Sequence, residues 1–195
     1  MTVGDSQPNA GQTAAGRRNT PAEADLLCAF ANTLDVEDDI DELREPADLV
    51  RWLSSRELVD ASLQATAADL ELALTLRAGI REAMAQHHDG AGGREVAELD
   101  QALQLLPLRV SFEDGNPRLL PACDGFRAGL AQLAVAIVSA QTAGVWQRLK
   151  LCRASDCQWA FVDTSKNRSR HWCSMGVCGN RQKTRAYRAR KRAQA

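Results

Sequence analysis

The sequence predicts an α+β fold: a mainly helical N-terminal domain with a small β-hairpin, followed by a cysteine-stapled module that ends in a basic helix. Three observations predict it. Apolar residues recur at helical spacing in five stretches between residues 21 and 143. Two short apolar runs flank a Glu-Asp-Gly-Asn turn. Four of the six cysteines crowd into residues 152–178. With 195 residues and 45% hydrophobic content, the chain can build one core plus a small appended module.

Residues 1–20 lack large apolar groups and are expected to form a disordered tail. They carry no apolar secretory core, and the apolar run from Leu133 to Val138 is far too short to span a bilayer, so a cytoplasmic protein without membrane contact is expected. The helical unit is expected over 21–148. Its first helix runs from about Pro21 to Leu34, with Pro21 at the first turn. Asp35 to Glu42 reads as an acidic, solvated loop without EF-hand spacing. Pro46 opens a short helix that places Leu49, Trp52 and Leu53 on one face.

A longer helix is expected from about Ala65 to His87, where His87 and His88 suit the negative end of the helix dipole and read as caps. An Asp-Gly-Ala-Gly-Gly loop follows. The next helix carries Val96, Leu99, Leu103 and Leu106 and stops at Pro107. Leu108–Phe112 and Pro117–Leu120 form the hairpin. The last helix of the unit turns Phe126, Leu130, Leu133, Ala134, Ile137 and Val138 inward and ends at Gly144. Cys28 and Cys123 stand alone in apolar helical contexts and read as free thiols of the interior.

Charge divides the chain unevenly. Residues 1–147 balance at −12 and residues 148–195 at +11, within a formal net charge of −1. Such asymmetry points to a polyanionic partner for the basic end, or to an acidic unit that docks on it.

The C-terminal module, residues 149–195, contains two cysteine pairs, Cys152/Cys157 and Cys173/Cys178, each pair with four residues between its members and fifteen between the pairs. Four thiolates suit tetrahedral zinc, and so short a segment needs a staple to fold. Two local disulfides or an iron–sulfur cluster are the alternatives, and His171 could stand in for one cysteine. A closed four-thiolate shell makes one Zn2+ structural, with no open position for catalysis. The stretch between the pairs is expected to fold back as a hairpin, with Trp159, Phe161 and Val162 on its apolar face and a turn at Asp163–Asn167. Trp146, Trp159 and Trp172 read as core or interface residues. Gly179 would let backbone amides approach the sulfurs, and Asn180 and Arg181 would brace the loop.

The closing helix carries Arg181, Lys183, Arg185, Arg188, Arg190, Lys191 and Arg192, with Tyr187 among them and no acid. A solvated surface helix usually mixes both signs. These residues are therefore the expected nucleic-acid contacts.

Cys178-Gly-Asn-Arg181, preceded by Trp172-Cys-Ser-Met175 and by Phe161-Val-Asp-Thr-Ser165, resembles the CGNR zinc finger over about residues 150–192. The position before the tryptophan, commonly Arg in that family, is His171 here. Upstream, Phe30-Ala-Asn-Thr33 and the Leu49/Trp52/Leu53 helix resemble the ABATE domain that usually accompanies the finger. The resemblance implies a treble-clef-like zinc module, a bacterial stress-induced transcriptional regulator, and a sensing role for the upstream domain.

Double-stranded DNA is the expected partner. The competing readings are an RNA-binding zinc module, in which Tyr187 and Trp172 would stack on bases, and a zinc-stapled protein-interaction module. No nucleophile–base pair, phosphate loop or catalytic metal spacing appears upstream, so no enzyme is expected. Asn32 and Thr33, set among apolar residues, could line a pocket for a small-molecule effector or simply close a helix. A homodimer would be usual for such a regulator, although no heptad pattern marks one.

Overall fold

The computed structural model describes residues 21–89, 94–113 and 115–193. The expected tail at 1–20, most of the Gly-rich loop after Asp89 and the Asp114 position of the hairpin turn lie outside the described residues.

Five helices build the N-terminal unit: α1 (Ala22–Ala31), α2 (Pro46–Ser54), α3 (Ala67–Gln86), α4 (Ala97–Gln104) and α5 (Phe126–Thr142). Their starts follow from local chemistry. Pro46 occupies the first turn of α2, and the Asp48 carboxylate accepts the Arg44 and Glu45 amides ahead of it. At α3 the Thr66 hydroxyl accepts the Asp69 amide while Asp69 accepts the Thr66 amide, a reciprocal capping box. Leu27, Phe30, Leu49, Leu53, Leu76, Ile80, Met84, Leu130 and Leu133 are fully buried in one cluster. Gly79 sits where α4 crosses α3; a Cβ there would lie 2.5 Å from the Leu99 backbone, so only glycine permits the approach.

Several expectations need correction. The first helix stops at Ala31, because the Thr33 hydroxyl turns back to the Phe30 carbonyl and Leu34 enters a strand. The acidic loop is a short hairpin in which β1 (Leu34–Asp35) pairs antiparallel with β2 (Ile40–Asp41). Phe126, Leu130, Leu133 and Ala134 of α5 are buried as expected, but Val138 is 40% exposed and the buried face continues through Ala136 and Ala140. The second hairpin forms as expected, with β3 (Leu108–Ser111) paired to β4 (Arg118–Pro121).

In the C-terminal module, β5 (Leu149–Leu151) pairs antiparallel with β6 (Ala160–Val162), and α6 (Asn180–Ala193) closes the chain. This hairpin spans the first cysteine pair rather than the gap between the two pairs. Leu149, Leu151 and Ala160 belong to the same buried cluster as α1, α3 and α5. The strands that carry the cysteine knuckle are thus anchored in the core of the helical unit.

Candidate metal centre and basic helix

The knuckle between β5 and β6 is closed by the Cys152 amide donating to the Trp159 carbonyl at 2.8 Å. The Cys157 amide folds back to the Ala154 carbonyl at 2.9 Å. Gln158 turns out of the knuckle in the left-handed region, with φ 51°. The second pair comes from the start of α6. Cys173 precedes, and Cys178 lies within, one wide helical turn, Met175–Gly179, whose entry is capped by Ser174 accepting the Val177 amide. The Arg153 amide donates to the His171 carbonyl at 3.0 Å, drawing the two halves together.

All four sulfurs lie within 4.8 Å of one another. The Cys157–Cys173 and Cys173–Cys178 separations are both 3.7 Å. A tetrahedron with Zn–S arms of about 2.3 Å has edges of about 3.8 Å, so this donor set fits one zinc ion. Its electrostatics agree. Hydrogen bonds from the Cys157 and Cys173 thiols hold Cys152 down to about 2. The same contacts with Cys152 push Cys173 up to about 12 and Cys157 upward. Four thiols this close cannot all ionise alone, and a dication among them supplies the missing charge.

The immediate surroundings hold this cluster rigid. Cys152, Cys157 and Cys178 are buried, with Trp159 and Trp172 packed against them. Gly179 is tightly packed: a Cβ would meet the flexible end of Met175 at 2.9 Å and Trp172 at 3.2 Å, and those side chains would have to shift to admit it. Its amide donates to the Ser174 carbonyl, not to a sulfur. Asn180 braces the turn by donating to the Gly176 carbonyl. The sulfur contact comes instead from Arg181, whose guanidinium donates to Cys178 Sγ at 3.4 Å. His171 is outside the sulfur cluster and stacks on His88, ring centroids 5.6 Å apart. Arg170 donates to the Cys173 carbonyl at 2.6 Å and lies over the Phe161 ring.

Below the cluster sits an ion pair that sequence reasoning missed. Lys150 is 1% exposed and Asp163 fully buried, joined at 2.8 Å. Asp163 also accepts the Ser165 amide and hydroxyl and the Arg170 amide, so the Asp-Thr-Ser segment is the hub of the loop between the cysteine pairs. Burial alone would raise the Asp163 carboxyl, but the Lys150 ammonium and the Ser165 and Arg170 donors outweigh it and hold it at about 2. A lysine flanked by two leucines on a strand was the available signal.

Asn32 and Thr33 have their polar groups committed. The Asn32 amide donates to the Ala160 carbonyl at 3.0 Å and accepts the Ala160 amide at 2.7 Å, acting as a substitute strand neighbour for β6. The Thr33 hydroxyl, buried, donates to Phe30 and accepts from Arg77. A cavity of about 510 Å³ lies elsewhere, walled by α3, α4 and Trp146, with His87, Leu99 and Leu103 among its lining. His87 is the C-cap residue of α3, its amide donating to the Ala83 carbonyl, but neither imidazole turns to the helix end. Each reaches across to β5, His87 to the Leu149 carbonyl at 2.7 Å and His88 to the Leu151 carbonyl. A third link is Arg81, buried in α3, which donates to the Gln158 carbonyl.

Of the seven basic residues of α6, Arg181 and Arg185 pair with acids; Arg181 is partly buried, and Arg185, Lys183, Arg188, Arg190, Lys191 and Arg192 are exposed. Residues 24–145 match the ABATE family model, described as "Putative stress-induced transcription regulator". The chain belongs to the ABATE family. Residues 148–191 match the CGNR zinc finger. A comparison with curated proteins found no match. Among the described residues no helix is long and apolar enough to cross a membrane.

Proposed function

We propose that this ABATE-family chain is a DNA-binding transcriptional regulator. In this reading Cys152, Cys157, Cys173 and Cys178 hold one structural zinc ion, which orients α6 toward the phosphate backbone. The observation that carries it is α6 itself: seven cations, no acid and no buried residue, rooted in a four-thiol site at its first turn. A ligated metal at the helix base fixes the helix axis, as it does in zinc modules that read a groove.

The helical unit supplies the regulatory input. A small effector would enter the cavity beside His87 and Trp146, because His87 holds the Leu149 carbonyl of the finger's first strand. Trp172 is partly buried against the cysteines, and Tyr187, 60% exposed, is the more accessible aromatic of the interface. Stacking on single-stranded bases would use Tyr187; phosphate contact with duplex does not need it.

The test is duplex binding by the zinc-loaded chain across a salt series. With roughly five phosphates met, the logarithm of affinity should fall with the logarithm of salt at a slope of about −4 to −5. Replacing Arg188, Arg190 and Lys191 together by Ala should weaken binding to every sequence and flatten that slope, while Tyr187→Ala should change duplex binding little. A large loss in Tyr187→Ala on single-stranded RNA, with weak duplex binding, would turn the reading to RNA. Salt-insensitive binding, or none at low salt, would defeat it.

A further inference from the structure

α6 is not electrostatically uniform. On a helix of 3.6 residues per turn, Arg185 stands about 40° from Arg181, whereas Lys183 and Arg190 stand about 160–180° away. At the base of the helix this first stripe is engaged, while Arg188 and Arg192, which continue it within about 20° of Arg181, are exposed. Arg181 donates to Glu37 at 2.7 Å, lies 3.4 Å from Asp156 and donates to Cys178 Sγ. Arg185 donates to Asp156 at 2.8 Å. Arg181 Nε is enclosed, so it cannot turn to an outside phosphate without leaving the cluster.

Glu37 is held there by a traceable chain of contacts. It lies in the turn between β1 and β2, and β2 is tied down where the Arg77 guanidinium, buried in α3, grips both oxygens of Asp41 at 2.7 Å. The same short hairpin carries Asp35, Asp38 and Asp39. A phosphate approaching the Arg181/Arg185 side therefore meets a concentration of carboxylates. Among the described residues, no hydrogen bond or ion pair engages Lys183 or Arg190, and both are exposed.

We propose that α6 meets its duplex with the stripe bearing Lys183, Tyr187 and Arg190, and that Arg181 and Arg185 are positioning residues. Arg181 clamps the finger to the acidic β1–β2 hairpin through Glu37, Arg185 ties α6 to Asp156 of the cysteine knuckle, and both are withdrawn from the nucleic acid. The inference rests on the DNA-binding reading above and assigns roles to four of its seven cations. Like-charge contact disfavours the acid-lined side as an interface, and complementary charge favours the other. The hairpin thereby fixes which face of the helix can approach a groove.

Two double variants remove equal charge from opposite faces of one helix: Lys183→Gln with Arg190→Gln, and Arg181→Gln with Arg185→Gln. Each is titrated, as the full zinc-loaded chain, with a short random-sequence duplex over a salt series. The first should flatten the salt slope by about 1.8, two contacts at about 0.9 each. The second should leave the slope unchanged and lower the melting temperature. Because Arg181 braces Cys178, the single variants Arg185→Gln and Arg190→Gln repeat the comparison with folding preserved. Arg190→Gln should flatten the slope by about 0.9 and Arg185→Gln should not. Equal flattening by both overturns the division of roles while leaving the DNA-binding reading intact. No duplex binding by the unaltered chain at low salt overturns both.

Discussion

The helical unit and the cysteine module solve the same problem with different means. In the former, Leu27, Phe30, Leu76, Ile80, Leu130 and Leu133 are fully buried, and apolar area removed from water offsets the entropy of ordering the chain. In the latter, four thiols, a buried Lys150–Asp163 pair and backbone contacts do that work, with Leu149, Leu151, Ala154, Ala160, Phe161 and the tryptophans as apolar support. The difference teaches where each is vulnerable. An apolar core loses stability in increments, whereas a polar staple with one member removed leaves the others buried without a partner.

The sharpest way to break the comparison is the metal. Purified protein should contain about one equivalent of zinc per chain, and Cys173→Ser should lose it and unfold the C-terminal module, since for so small a unit metal binding is folding energy. The helical unit should keep its far-ultraviolet helix signal in that variant. Zinc retained at full occupancy would defeat the four-cysteine assignment. Loss of helix throughout the chain would show that the two regions are one cooperative unit, an outcome to which Leu149, Leu151 and Ala160 in the shared core lend weight. The division at residue 148 is thus a proposal about cooperativity as much as about sequence.

Next in size is the ion pair. Lys150→Ala strands the Asp163 carboxylate in a buried site and should cost about 3–5 kcal/mol, read as a lowered midpoint in thermal or urea unfolding. Asp163→Asn should cost a comparable amount, because it leaves Lys150 without its carboxylate and one amide oxygen can keep either the Ser165 or the Arg170 amide, which bind different oxygens of Asp163. If the two variants were equally mild, the pair would be incidental to the module and the metal alone would hold it.

Much of this architecture was legible in the chain, and the exceptions share a cause. The cysteine spacing, the apolar periodicity of α3 and α5 and the acid-free closing helix are local signals. What was not legible depends on contacts between distant residues: Asn32 bridging to Ala160, Arg77 to Asp41, His87 and His88 to β5. An asparagine at a helix end has the same local pattern whether it caps, lines a pocket or completes a distant strand. Likewise Arg181 reads as one more cation in a basic run until Glu37 and Asp156 are placed beside it. At three residues, Leu149–Leu151 is too short to announce itself as a strand, and the apolar run at Trp159–Val162 points to a hairpin in the gap between the pairs instead.

The smallest expected effect lies at the seam between the two regions and appears on acidification. Burial lowers the His87 and His88 imidazoles from their ordinary value of 6.5, with Lys150 adding to the shift at His87 and Arg153, Lys150 and His171 at His88. Leu149 and Leu151 offer carbonyls, so each ring must donate from the nitrogen that faces β5. The sign follows from linkage. With the folded value depressed, the unfolded chain binds more protons than the folded chain once the pH falls below about 6.5, so stability is full above that value and declines below it. The slope per histidine cannot exceed about 1.4 kcal/mol per pH unit, which places this effect below the other two. Zinc thiolates also respond to acid, so the measurement is a difference. His87→Asn can still donate to Leu149 but cannot titrate. Between pH 7.5 and 5.5 its melting temperature should fall less than that of the unaltered chain, as read by calorimetry at matched zinc. Parallel falls would show that the seam is indifferent to the charge of His87.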